Sequence, residues 1–200
     1  MLLTASLFTI LCLSAVAVGH DLTTSDREQA LRYLDETRSG VIDATKGLSE
    51  AQWKFKPAPD RWSIAEIVEH IALGEDFLLH NLREELPKAP AAAADRDPRE
   101  VDARIMSFIP DRSEKFKAPP FLVPTGRWTP QEALDHFLAT RAETVAFLKS
   151  SNDLREHLVF LPPLGKPVDG YEWILAASAH SERHTKQILE VKADPGFPPN

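Results

Sequence analysis

Cysteine is almost missing from this chain: its 200 residues hold one, Cys12. That residue sits inside the apolar first 19 residues, behind Thr9-Ile10-Leu11, which lacks the small residue expected before a lipoprotein cysteine. A mature chain cut after this run carries no thiol. A disulfide framework, a cysteine nucleophile and thiolate-ligated zinc are thereby excluded. Basic charge is also scarce. There are 23 Lys and Arg against 30 Asp and Glu, for a net charge of −7. Non-specific nucleic-acid binding needs a basic footprint, so no nucleic-acid partner is expected. Internal repeats are missing, as are alternating strand patterns of useful length and any low-complexity tract beyond the short run Ala91–Ala94.

Long hydrophobic runs are confined to the beginning. Residues 1–19 carry no charge, and Ala15, Ala17 and Gly19 precede the polar His20-Asp21. The pattern reads as a bacterial-type secretory signal cleaved after Ala17 or Gly19, although no Lys or Arg precedes the apolar stretch. Its rival is an uncleaved N-terminal anchor, the one route to a membrane association. The expected product is an exported protein, periplasmic or secreted, with one domain over residues 20–200.

What the chain does have is helical periodicity with clear starts and stops. One pattern runs from about Thr24 to Lys46, with Gly47 as a stop. A second opens at Ser63-Ile64-Ala65-Glu66, a capping box, and reaches about Leu86 before Pro87. A third opens at Thr129-Pro130-Gln131-Glu132, with proline at the first helical position, and continues to about Ser150. A fourth opens at Asp169-Gly170-Tyr171-Glu172 and ends near Lys192. The expected fold is all-α: a four-helix bundle with a long crossover between the second and third helices. That connection, Pro87 to Pro124, holds seven of the 16 prolines and a short helical pattern from Arg99 to Phe108. Its length suits a functional segment such as a lid, and lets it carry the chain to a distant third helix. Pro162 to Val168 reads as the last linker.

Seven histidines are present, and helix faces sort them. At 100° per residue, Trp173, Ala176, Ala177, His180, His184, Gln187 and Val191 share one face of the fourth helix. Two imidazoles one turn apart on a buried face are hard to satisfy by hydrogen bonds and easy to satisfy with a metal ion. His70 is the third candidate, on the edge of the Ile67, Ile71, Gly74 and Leu78 seam. A mid-helix glycine costs about 1 kcal/mol relative to alanine and signals needed space, here one turn from His70. His136 and His80 project away from their apolar faces, His157 lies in a short segment, and His20 is terminal. Three neutral imidazoles suit a divalent metal and leave a position open for chemistry. The plain alternative for each is an ordinary half-buried, hydrogen-bonded histidine. Glu66 is either a base near His70 or simply the capping-box glutamate. Gln187 either orients a ligand or is an edge residue.

These residues resemble a known family. Pro57-Ala58-Pro59-Asp60-Arg61-Trp62-Ser63 followed by Ile64 to Ile71, with His70 two turns on, is similar to the second-helix signature of the DinB-like superfamily. His180, His184 and Gln187-Ile188 resemble its C-terminal H-x-x-x-H-x-x-Q segment, and Leu48 to Trp53 resembles its leucine-serine-tryptophan turn. The resemblance implies a four-helix bundle holding a divalent metal, zinc or nickel, through His70, His180 and His184. It also implies a dimer in many members and an activity drawn from thiol-dependent transferases, hydrolases or isomerases. Export removes a chain from cytosolic thiols such as bacillithiol and mycothiol, which argues against the thiol-transferase branch. The function expected is a metal-dependent hydrolase or transferase acting on a small molecule. The alternative is a non-catalytic bundle that binds a metal or ligand.

Overall fold

The computed structural model describes residues 22–199. The N-terminal run, Cys12 and His20, and with them the expected signal or anchor, lie outside the described residues. No helix among the described residues is long and apolar enough to cross a membrane.

Four long helices form the bundle: α1 (Thr24–Thr45), α3 (Ile64–His80), α5 (Pro130–Ser150) and α6 (Gly170–Lys192). Two shorter ones, α2 (Glu50–Lys54) and α4 (Arg99–Phe108), lie in the connections. The long helices begin where the sequence says they should. Thr23, Ser63, Thr129 and Asp169 each accept from the backbone N–H three residues on, whose acidic side chain returns the bond. Such caps are each worth about 0.5–2 kcal/mol. Beyond His80 the α3 helix widens into a π-helical turn, Asn81–Glu85, and ends in a single tight turn, Leu86–Lys88, that contains Pro87.

The crossover sets the helix directions. Asp76 meets His136 and Arg83 meets Glu143, so α3 and α5 run parallel and side by side. Tyr171 reaches the Asp26 carbonyl and Lys192 reaches that of Ala44, so α1 and α6 are also parallel. Arg27 bonds the Leu148 and Ser151 carbonyls, which makes α1 antiparallel to α5. The third long helix is thus the second's immediate neighbour. The crossover returns the chain along the length of the bundle rather than across to a distant helix.

The expected last linker contains a small hairpin instead. Strands β1 (Val159–Leu161) and β2 (Lys166–Val168) pair antiparallel, with Gly165 left-handed in the turn at φ 66°. Three-residue strands are too short to show an alternating pattern, and Pro162, Pro163 and Pro167 mask them further.

The interior is layered. One apolar cluster joins Leu34, Leu78, Leu82, Leu148 and Trp173; the other joins Val41, Ile64, Ile67, Phe137 and Ile188. Between them every long helix places polar residues: Thr37 on α1, Glu75 on α3, Arg141 on α5, and Ser181 and His184 on α6. The guanidinium of Arg141 is fully buried. It donates to both Glu75 oxygens (2.9 and 2.5 Å), the Leu34 carbonyl (2.8 Å), Thr37 Oγ1 (2.9 Å) and Ser181 Oγ (2.8 Å). This ion cluster is closed and saturated.

Candidate metal centre

The histidines occupy the same polar layer, on the cavity side of α3 and α6. Nε2 of His70 lies 3.1 Å from Nε2 of His184 and 3.1 Å from Nε2 of His180. One ring nitrogen from each falls within 4.8 Å of the others, and among the described residues this is the group placed to hold a metal ion. All three candidates chosen from the sequence therefore meet.

Local chemistry decides what those nitrogens present. His70 Nδ1 is 2.7 Å from the Leu122 carbonyl, which can only accept. The proton is on Nδ1, and Nε2 carries a lone pair. His184 Nδ1 is 2.8 Å from Gln187 Oε1, with the amide oriented to accept, so its Nε2 is likewise a lone pair. Two lone pairs then face each other at 3.1 Å with no proton between them. His180 adds a buried Nδ1 with no hydrogen-bond partner. Burial pushes the His70 pKa below its ordinary 6.5. It pushes His180 and His184 well below, aided by the neighbouring imidazoles. Neutral imidazoles with converging lone pairs repel one another unless a cation lies between them. Nitrogens about 2.0–2.1 Å from a metal stand roughly 3 Å apart, so the donor set fits a divalent ion.

Space for the site comes from Gly74. A Cβ there would lie 2.8 Å from His180 Nδ1 and closer still to Cε1. The ring of Trp62 packs 4.8 Å from that of His70, and His70 and the half-buried His180 both open into a cavity of about 710 Å3. The crossover roofs this cavity with Phe108, Phe116 and Leu122, and Leu161 and Pro162 of the hairpin region close one side.

The residue before each of two site histidines ties that roof down. Glu69 accepts from the backbone N–H groups of Thr125 (2.9 Å) and Gly126 (2.9 Å). Arg183 donates to the carbonyls of Ile109 (3.2 Å), Asp111 and Glu114 (2.5 Å). A third tie, at the start of the crossover, joins Arg96 to Asp169 (2.7 Å) and Glu172 (2.5 Å). Burial and the neighbouring Asp169 push the Glu172 carboxyl up to about 7, against the pull of Arg96.

The other histidines go elsewhere. His136 pairs with Asp76 and stacks on Trp128, His157 bonds the Ala89 carbonyl, and His80 is exposed. Glu66 accepts from the Ser63 N–H (2.7 Å) and from Lys56 (2.9 Å), so it is a cap and not a base. Sequence reasoning missed Glu69, Arg183 and the Leu122 carbonyl. For the first two the available signal was a charge beside a helix's buried seam; a main-chain oxygen leaves none.

The sequence model of the DinB superfamily matches residues 27–188. The chain belongs to the DinB superfamily. A relative, the uncharacterized protein YuaE of Bacillus subtilis (strain 168), is 26% identical over 163 residues, covering 81% of this chain and 96% of that protein. The structure of YfiT from Bacillus subtilis, reported as a probable metal-dependent hydrolase with an unusual four-helix bundle topology, superposes with a TM-score of 0.56. It is 15% identical and covers 90% of this chain and 93% of its own, which establishes a shared fold. In this chain the parallel α3–α5 pair departs from simple up-and-down order.

Proposed function

We propose that this DinB protein is a metal-dependent hydrolase or transferase of a small molecule, holding zinc or nickel through His70, His180 and His184. The observation that carries this reading is the convergence of three imidazole Nε2 atoms, two with their lone pairs fixed inward, at the wall of a large cavity. A divalent ion held there supplies Lewis acidity at the position the imidazoles leave open. The chain's own residues do the rest. The Leu122 carbonyl and Gln187 fix the tautomers and raise the basicity of the rings they touch. Gly74 lets the His180 ring lie against α3. Trp62 and the crossover limit water at that wall. Asp60 is the one carboxylate in the cavity lining, and it is exposed.

The relation to YfiT supports the hydrolase branch, and the first 19 residues support action outside the cytoplasm. A non-catalytic centre would be closed off by Trp62 and Trp173. Here His180 reaches the cavity, which favours a reactive site. Elemental analysis of natively produced protein tests the reading: stoichiometric zinc or nickel is expected in the parent and loss of it in His184→Ala. Metal-free, folded parent protein, or unchanged metal in the variant, would sink it.

A further inference from the structure

The cavity's charge runs against that of the whole chain. The protein carries a net −7, yet the lining has five cations, Arg61, Arg112, Lys115, Lys117 and Arg183, against the single carboxylate of Asp60. One further acid, Glu190, reaches two of them, at 2.6 Å from Arg112 and 3.8 Å from Arg61. Arg183 is held by main-chain oxygens, so no contacting carboxylate cancels it. Lys115 and Lys117 are exposed and have no carboxylate partner among the described residues. A cleft of one sign with apolar walls concentrates the opposite charge.

The same stretch is aromatic. Phe116 and Phe121, 48% and 55% exposed, both line the cavity. Each is backed by another ring: Phe108 stands 5.8 Å from Phe116, and Phe77 stands 5.0 Å from Phe121. Exposed rings braced in this way give a preformed apolar surface beside two free ammonium groups. About 710 Å3 is the size of a small-molecule site.

We infer that the ligand of this cavity is an amphipathic organic acid, its carboxylate or phosphate held by Lys115 and Lys117 and its aromatic or aliphatic body held between Phe116 and Phe121. This rests on reading the cavity as the substrate site of the histidine centre, and it names that substrate's class. The anion is read by the crossover and not by the helices that carry the histidines. The preference for acids is therefore a property of the metal-stripped protein as well as the loaded one.

The test uses the full chain, stripped with chelator or reloaded with zinc, and three probes of one shape: phenylbutyrate, phenylbutanol and phenylbutylamine. Calorimetry is expected to show the acid binding about tenfold tighter than the alcohol in both forms, with the amine weakest. Lys115→Gln with Lys117→Gln is expected to erase most of that preference and leave the alcohol's affinity unchanged. Phe121→Ala is expected to weaken acid and alcohol alike. Equal binding of the three probes overturns the inference, as does a preference untouched by the lysine changes. A preference confined to the zinc form also overturns it, because the acid would then be ligating the ion. So does sedimentation with phosphatidylglycerol vesicles without probe binding, which would make the patch a lipid-docking surface. The stripped-protein arm needs no metal, so failure of the metal reading leaves this result interpretable.

Discussion

Two polar clusters share the middle of this bundle, one residue apart on both α3 and α6. Glu75 and Ser181 belong to the first, Gly74 and His180 to the second. Around Arg141 every donor direction points at an acceptor and both charges are fully buried. Around His70 the reverse holds: lone pairs converge, one ring nitrogen has no partner, and glycine replaces a side chain. The first arrangement is complete without a ligand and fixes how the helices register. The second is complete only with one. Buried polar groups that satisfy each other hold a fold together, and those left short mark where something else binds.

Glu75→Ala breaks the closed cluster, leaving the Arg141 cation buried and unpaired, and is expected to cost about 3–5 kcal/mol in urea unfolding. Protein that remains folded should still bind metal. His184→Ala breaks the open one. Its metal-stripped stability should stay near the parent's. The stabilisation that excess metal confers, about 2.7 kcal/mol at a hundred times Kd, should vanish from melts run with and without chelator.

Gln187→Leu and Gly74→Ala sharpen the contrast. Loss of the acceptor on His184 Nδ1 is expected to lower metal affinity about 10–100-fold by competition with a chromophoric chelator, with little change in the stripped protein. A methyl at Gly74 meets the His180 ring at 2.8 Å from Nδ1 and closer still at Cε1, so the ring must turn away. Metal affinity should fall while helix propensity shifts the stripped protein by up to about 1 kcal/mol in its favour.

The smallest effect is on pH. His70, His180 and His184 have depressed pKa values when folded, so the unfolded chain binds more protons below about 6.5. The histidines' share of the stripped protein's stability is full above that pH and falls as acid is added. Glu172, raised to about 7, acts with the opposite sign: its contribution is present below the ordinary carboxylate range and is lost as pH rises through about 7. Urea midpoints measured from acid to alkali should show a limb on each side, the acid one shallower in His180→Ala.

Much of this was legible in the sequence because helices repeat. Capped openings placed three helix starts, the Thr23 cap of α1 emerged only in the structure, and the 100° period put His180 and His184 on one face with Gln187 a turn beyond. Gly74 marked the room that His180 fills. Arg141 falls on the apolar face of α5 in the sequence alone, yet its partner Glu75 lies 66 residues away and nothing local names it. The parallel pairing of α3 with α5 depends on how the crossover runs, which no periodicity records. The Leu122 carbonyl is main chain, identical in every residue type. The roof's ties, Glu69 and Arg183, are ordinary charges until the loop is seen to lie over them.

His70 and His180 are 110 residues apart in the chain, and the helices that carry them meet only after the crossover has closed its long loop. Contacts of such separation form late in folding, because loop entropy must be overcome before they reward it. The centre is thus among the last parts of the molecule to exist, and a nascent chain cannot load it until the final helix has been made. An ion bound there acts as a clasp between the early and late parts of the polypeptide, slowing unfolding more than it speeds folding.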